Sequence, residues 1–596
     1  MPEWTKGAVC KTAGIAFVGS NPTRPTERLS FLVMLDSKST TRSEKLNVKL
    51  LQVFKNSIRK SYSTFRNSDP GLNYEGHELI FRKAFTRDVL FGFISLILIV
   101  VGASQNQSPF ALKQPCAWFY GVPKLSCSTL VLPQQKVGPI FYWAIVAVYS
   151  GLFIYMRSWL SIVRHLGRFK GVPIKYVFAV FLLYVLPIIV APPLFSRDAY
   201  SYAGQGEMVA RGIDPYKYGV SILGPYSSNP YIDQVDPLWQ NTPVPYGPLD
   251  LRLAALIDDL SYHNELVSVL LLRLIMCLGG VLLAAFYIPK LARYLNKDPS
   301  FSFALAILNP VVILHLIGGI HNDALMAGFL IPAIVFALED RFFLALTFVA
   351  LATQVKAPAI IALGFIGWRW AGKRANFFQK VKHVTIALVF TLLVMEVISL
   401  LTGVGWGWTH DLGAPDTVIS WLAPASGVGI GLSHLASAVG IANLGSSEWL
   451  HITRTLGLVI ASILIVYFCL KSDQKGFVYT LGLALIYLVT LSPVVQPWYL
   501  SWGIMILIIS AQGWIRSVSQ VLSIGVTFVG LPGGKALVTQ LASTNPVILI
   551  PYITIMFVVL VGPSVLSLKK YLRAFVQEFH YELQQKRLAI KETIRV

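Results

Sequence analysis

Residues 174–202 read IKYVFAVFLLYVLPIIVAPPLFSRDAYSY. The first twenty are apolar apart from Lys175 and two tyrosines, which is enough helix to cross a hydrocarbon core of ~30 Å. Pro192 and Pro193 then end the run, and Ser196-Arg197-Asp198 follows at once. An apolar span that opens directly onto an acidic, Tyr-rich loop sets the reading of the whole chain.

Runs of the same kind recur along the sequence. They lie near 88–105, 139–156, 174–193, 263–288, 301–317, 323–338, 341–354, 357–370, 383–403, 453–470, 476–493, 498–511, 517–533 and 546–565. The fold class expected is therefore an all-α polytopic membrane protein of about 13–14 transmembrane helices. Composition agrees: 55% of residues are hydrophobic and 13% charged, where soluble domains keep roughly 25% charged. No cleavable signal peptide is read, and the span from Val89 is expected to act as an uncleaved anchor.

The net charge is +21. In a soluble protein that would suggest nucleic acid, but the basic residues gather in a tail and in alternate links, as membrane topology requires. The links 157–175, 289–300 and 369–382 and the C-terminal tail carry them, and all are assigned to the cytoplasm. Residues 194–262 then fall outside, both termini fall inside, and the membrane is the inner (plasma) membrane. Residues 404–452 are also outside, with a helix near 418–438.

Three regions follow. Residues 1–87, with 15 Lys/Arg against 7 Asp/Glu, form a basic, mostly disordered cytoplasmic tail with a surface helix near 46–62. Residues 88–565 form the membrane domain, with 194–262 as its extracytoplasmic loop, and 566–596 form a basic cytoplasmic tail. The five cysteines show no metal-type spacing. Cys116 and Cys127 flank an outside stretch where a disulfide is permitted; two unpaired thiols are the other reading.

The loop 194–262 is rich in acids, prolines and tyrosines. Aromatic faces stack on sugar rings and carboxylates accept from sugar hydroxyls, so Tyr200, Tyr202, Asp214, Tyr216, Trp239 and Tyr246 are candidate sugar or acceptor contacts. Asp198 sits at the depth where a lipid-phosphate-linked sugar presents its anomeric carbon. A carboxylate there suits general-base catalysis on an attacking hydroxyl; the plainer reading is a helix-flanking acid that pairs with Arg197 or caps a helix. Arg197, His321 and Lys356 are candidates for the donor phosphate, Lys356 as a point charge on a hairpin tip or else a snorkelling lysine. Asn322, Asp323, Trp498 and Tyr499, in two outer turns, are further sugar-binding candidates. Trp406 to Asp411 lies on the same face. No metal ligand set and no cofactor are read. Arg273, inside the fourth span, has no role legible at this level.

Six fragments in order carry a resemblance: 197–206, 212–216, 236–239, 243–248, 318–326 and 493–500. Together they resemble the polyprenol-phosphate-mannose-dependent α-1,6-mannosyltransferases of actinobacteria, of the GT-C class, over residues 85 to 565. Gln496, where a His or bulky residue is expected, is a departure. The resemblance implies a polyprenyl phosphomannose donor, a growing α-1,6-mannan of lipomannan or lipoarabinomannan as acceptor, inversion at the outer face, and Asp198 as base. It implies no nucleotide sugar and no cofactor. Oligomeric state is not legible. Two other readings stay open: a transferase of the same class using another lipid-linked sugar (arabinofuranose, or protein O-mannosylation), and a lipid-sugar transporter or flippase.

Overall fold

The computed structural model describes residues 72–105, 108, 110, 118–119, 122–123, 139–224, 231–413, 417–419, 422–439 and 445–529. Cys116, Cys127, residues 1–71 of the expected N-terminal tail and the apolar run 546–565 lie outside the described residues, while residues 74–87, expected as part of a mostly disordered tail, are the first turns of a helix. Among the described residues the chain is helical apart from turns and two pairs of two-residue strands.

In chain order the main helices are α1 (Tyr74–Ala103), α2 (Pro139–Arg168), α3 (Ile174–Ile189), α4 (Asp198–Ala210), α5 (Pro248–Ser261) and α6 (Leu266–Tyr294). Then come α7 (Pro299–Ala306), a wide-turn helix (Val311–Gly318), α8 (Asp323–Leu338), α9 (Phe342–Thr353), α10 (Ala357–Trp370) and α11 (Phe377–Thr402). The last are α12 (Pro424–Ala438), α13 (Ser446–Leu470), α14 (Phe477–Leu491), α15 (Pro497–Ser510) and α16 (Gly513–Val529). Every apolar run expected before residue 534 corresponds to one of these helices, and the helix expected near 418–438 is α12.

Among the described residues five helices are long and apolar enough to cross a membrane by themselves: the apolar parts of α1 and α2, and all of α6, α11 and α13. α7 and Val311–Gly318 pass the same test together but bend by 53° where Asn309-Pro310 interrupts the helix, the geometry of a broken span or of a re-entrant loop. Six shorter apolar helices complete the bundle, among them α3, α8, α9 and α10. The protein is an all-α, multi-pass membrane protein. α11 leaves Leu388, Leu392, Leu393, Leu400 and Leu401 exposed, an apolar face that suits lipid and would be a liability in water.

The links assigned by charge to one face do lie on one face. Lys290 pairs with Glu339, Arg369 with Asp340 at 3.4 Å, and Lys380 with Asp473 at 2.6 Å. Asp198, His321, Lys356 and Trp498 meet at the other end of the bundle.

Arg273 explains how those segments are brought there. It is fully buried in α6. Its Nε donates to Ile317 O at 3.2 Å and its Nη2 to Gly318 O at 3.3 Å. Its Nη1 donates to Ile189 O at 3.3 Å and to Ala191 O. These are the carbonyls at the C-terminal ends of α3 and of the wide-turn helix, which have no intrahelical partner. In an apolar interior they would be costly to leave bare, and a guanidinium supplies five fixed donors to satisfy them. Leu194 N also donates to Gly318 O at 2.8 Å. The chain entering Asp198 and the chain entering His321 are thus fastened to one side chain.

Replacing Arg273 by Met should orphan the carbonyls of Ile189, Ala191 and Ile317 at about 1–3 kcal/mol each, while Gly318 O keeps Leu194 N. We expect Arg273→Met to lower the thermal unfolding midpoint in detergent, and Arg273→Lys to lower it less. Equal midpoints for wild type and Arg273→Met would contradict the stapling role.

Candidate active site

Asp198 opens α4. Its backbone N–H donates to Ser196 Oγ at 3.1 Å, and a carboxylate in the first turn lies in the favourable end of the helix dipole. Asp198 Oδ2 stands 3.3 Å from His321 Nδ1. Burial pushes the Asp198 carboxyl up, but the adjacent His321 imidazole, the Lys356 charge and Ser196 outweigh it and hold it below its ordinary value.

His321 is fully buried. The Trp498 ring stacks on the imidazole, with centroids 3.6 Å apart and planes 14° apart. The preceding residue, Ile320, has φ of +60°, a strained conformation for a β-branched side chain that turns the chain sharply out of the wide-turn helix.

Lys356 is the hub of the site. Its Nζ donates to Asp323 Oδ2 at 2.8 Å and to Asn322 Oδ1 at 3.3 Å. It also lies 4.6 Å from the Tyr499 ring centroid, 5.5 Å from that of Tyr246 and 5.7 Å from that of Trp502. Lys356 does lie in the turn between two short apolar helices, but it is buried, 6% exposed, and so is not a snorkelling lysine. The loop before α5 covers this turn, and aromatic faces replace water around the ammonium. Trp502 Nε1 donates to the other oxygen of Asp323, so both oxygens of that acid are engaged.

Asn322 links the cluster to α5: its Nδ2 donates to Asp250 Oδ2 at 2.9 Å, and its Oδ1 accepts from Tyr202 at 3.4 Å. The start of α5 rests on the turn before Lys356, where Leu249 N donates to Gln354 O at 3.2 Å. Gly247 permits this contact, because a Cβ there would meet Gln354 O at 2.3 Å. Tyr202 and Tyr246 pack edge to face. Burial, then neighbouring charges, push both phenols up, so they act as neutral donors.

The cluster joins Asp198, Tyr202, Tyr246, His321, Asn322, Asp323, Lys356, Trp498 and Tyr499 of the expected residues. Others go elsewhere. Tyr200 is fully buried in the hydrophobic core. Arg197 stays beside Asp198 but reaches toward Asp236, at 4.0 Å. Trp239 packs partly buried against the main core. Asp214 Oδ1 accepts from Tyr216 N at 2.9 Å in a local turn. Tyr216 bonds Tyr246 O at 3.2 Å and packs with Trp406 and Trp408, forming a second aromatic patch beside the cluster. Asp250 and Trp502 went unread in the sequence. The Gly-Pro-Leu-Asp at 247–250 signals a helix start with an acid in its first turn, and Trp502 follows Tyr499 by three residues on one helical face.

The three acids differ in reach. Asp323 is fully buried and Asp250 is 5% exposed, whereas the Asp198 side chain is 19% exposed. Asp198 is the acid among them that an arriving hydroxyl can meet.

The comparisons with known proteins bear on the whole of this cluster. The family model described as alpha-(1->6)-mannopyranosyltransferase, N-terminal domain, matches residues 89–372. A second, described as MptB C-terminal domain, matches residues 427–562. The chain belongs to the alpha-(1->6)-mannopyranosyltransferase family. It is a membrane glycosyltransferase, and its relatives make it a mannosyltransferase. It is 33% identical to alpha-(1->6)-mannopyranosyltransferase B of Corynebacterium glutamicum, over 77% of this chain and 79% of that one. It is 30% identical to a probable alpha-(1->6)-mannopyranosyltransferase of Mycolicibacterium smegmatis, over 70% and 78%. To alpha-(1->6)-mannopyranosyltransferase A of Mycobacterium tuberculosis it is 29% identical, over 60% and 69%. Asp198 to Lys356 fall in the first matched region, and Trp498, Tyr499 and Trp502 in the second.

Asp250 gives the enzyme a pH signature. Burial, partly offset by the Asn322 hydrogen bond and Lys356, pushes it up from 3.8 to about 7. Between those values the unfolded chain has released this proton and the folded chain still holds it. Stability should therefore fall as pH rises through that window, by at most about 1.4 kcal/mol per pH unit. Asp250→Asn stays neutral and lacks this loss. Its unfolding midpoint relative to wild type should climb from pH 5 to pH 8; a pH-independent difference would contradict the assignment.

Proposed function

We propose that the enzyme transfers mannose from β-mannosyl phosphopolyprenol to the 6-hydroxyl of a growing α-1,6-mannan glycolipid at the outer face of the plasma membrane. The donor and acceptor readings come from the family resemblance, and the linkage is what the relatives' names say. Asp198 carries the reading: it is the reachable acid of the cluster, held in its charged form by His321 and Lys356, just beyond the end of α3.

The reaction runs by inversion. The acceptor O6 attacks C1 of mannose as its proton passes to Asp198. The bond from C1 to the phosphate oxygen breaks, and the polyprenyl phosphate leaves with the electron pair. Attack opposite a β-linked phosphate gives the α-1,6 bond. His321 is clamped between Asp198 and Trp498, which fixes the base before substrate arrives. The buried ammonium of Lys356 and the partly exposed guanidinium of Arg197 supply fixed positive charge near the departing phosphate. Tyr202, Tyr246 and the patch of Tyr216, Trp406 and Trp408 offer donors and ring faces to the acceptor. Residues 88–565 form the catalytic unit under this reading, with both termini, including 1–87 and 566–596, on the cytoplasmic side.

Asp198→Asn keeps the size of the side chain and loses the base. In membranes supplied with labelled polyprenyl phosphomannose and a short α-1,6-mannoside, it should fold normally and lose at least ~100-fold in transfer. Near wild-type turnover would remove Asp198 from the chemistry. Transfer from polyprenyl phosphoarabinofuranose instead would change the sugar, and transfer from neither donor would overturn the proposal.

A further inference from the structure

α4 and α5 leave the reacting cluster side by side in the same direction. Asp198 and Asp250 lie at their first turns. The helices touch at Gly206, where a Cβ would meet Ala254 O at 2.4 Å. Near the far ends, about 13 Å along α4 from Asp198 at 1.5 Å per residue, Glu207 meets Asp258, and His263 folds back from the turn after α5.

We propose that Glu207, Asp258 and His263 form a binding site for a divalent transition metal of the Zn2+ or Mn2+ class, which braces α4 against α5. One donor atom from each residue lies within 4.8 Å of the other two. Tetrahedral bonds of about 2.1 Å hold donors about 3.4 Å apart, so each pair would draw together by up to about 1.4 Å, within the reach of side-chain rotation. Glu207 is fully buried and Asp258 is 1% exposed, while the His263 side chain is 46% exposed. The ion thus has a solvent-side entrance and a closed floor.

A second observation points to a ligand. His263 Nδ1 is 2.7 Å from Asp258 Oδ2, but Asp258 Oδ1 has no hydrogen-bond partner among the described residues. A buried carboxylate oxygen with nothing bonded to it is unfavourable, and a cation would satisfy it. An imidazole with two carboxylates suits Zn2+ or Mn2+ better than Ca2+ or Mg2+, which prefer all-oxygen sets.

Arg211 is the competitor. Its Nε and Nη2 both donate to Glu207 Oε1, at 2.9 and 2.8 Å. Its side chain is 34% exposed and can swing outward when an ion takes that oxygen. Standing apart from Asp198, such a metal acts as a brace that keeps the two acid-bearing helices in register.

The test uses the full-length protein in detergent micelles, stripped with EDTA and exchanged into metal-free buffer. Mn2+ is titrated with free Mn2+ read by EPR, and Zn2+ is followed by thermal unfolding. We expect one saturable Mn2+ per chain and a Zn2+-dependent rise in the unfolding midpoint. His263→Ala and Glu207→Gln should each weaken binding at least tenfold. Arg211→Gln, which keeps all three donors, should tighten it. No saturable ion, or unchanged affinity in His263→Ala and Glu207→Gln, overturns the site. Should those two variants fail to fold, Arg211→Gln decides alone: tighter binding supports the site, and unchanged or weaker binding overturns it.

Discussion

A single guanidinium fastens the ends of two helices inside an apolar bundle. Arg273 meets carbonyls from α3 and from the wide-turn helix, groups that water would satisfy in a soluble protein. Because both helix ends are bound to one planar fork, their exits are fixed relative to each other. One exit leads within a few residues to Asp198, the other to His321. The spacing of the Asp198 carboxylate and the His321 imidazole is therefore set in the bundle, below the end where they meet.

Above that fastening, charge is arranged in layers. Lys356 is balanced by Asp323 and shielded by aromatic rings, which lowers the cost of holding an ammonium away from water. Asn322 passes its influence to Asp250 and Tyr202. Two of the three acids are thereby committed, and Asp198 remains the most exposed of them. The arrangement separates the residues that hold the site from the one that meets the reactant.

Much of this was legible in the sequence, because hydropathy marks spans without knowledge of their packing. Counting charges in the links was enough to bring Asp198, His321, Lys356 and Trp498 to one end. The residues that escaped did so for geometric reasons. Tyr200 and Tyr202 differ by two positions, about 200° around a helix. One faces the core and the other the site, and nothing in their types says which. Lys356 read as an interfacial lysine because the loop that covers it lies a hundred residues earlier. Asp250 gains its role only when Gly247 lets α5 touch Gln354. Glu207, Asp258 and His263 form no spacing pattern along the chain, since parallel helices bring them together.

The site draws on both matched regions of the chain. Asp198, His321 and Lys356 come from the first, while the indole stacked on His321 and the indole bonded to Asp323 come from the second. The two regions share one interface at the reacting centre, so their histories are tied. A substitution that resizes Trp498 or Trp502 changes the setting in which His321 and Asp323 are selected. Recombination between relatives inherits a working centre only when both halves travel together.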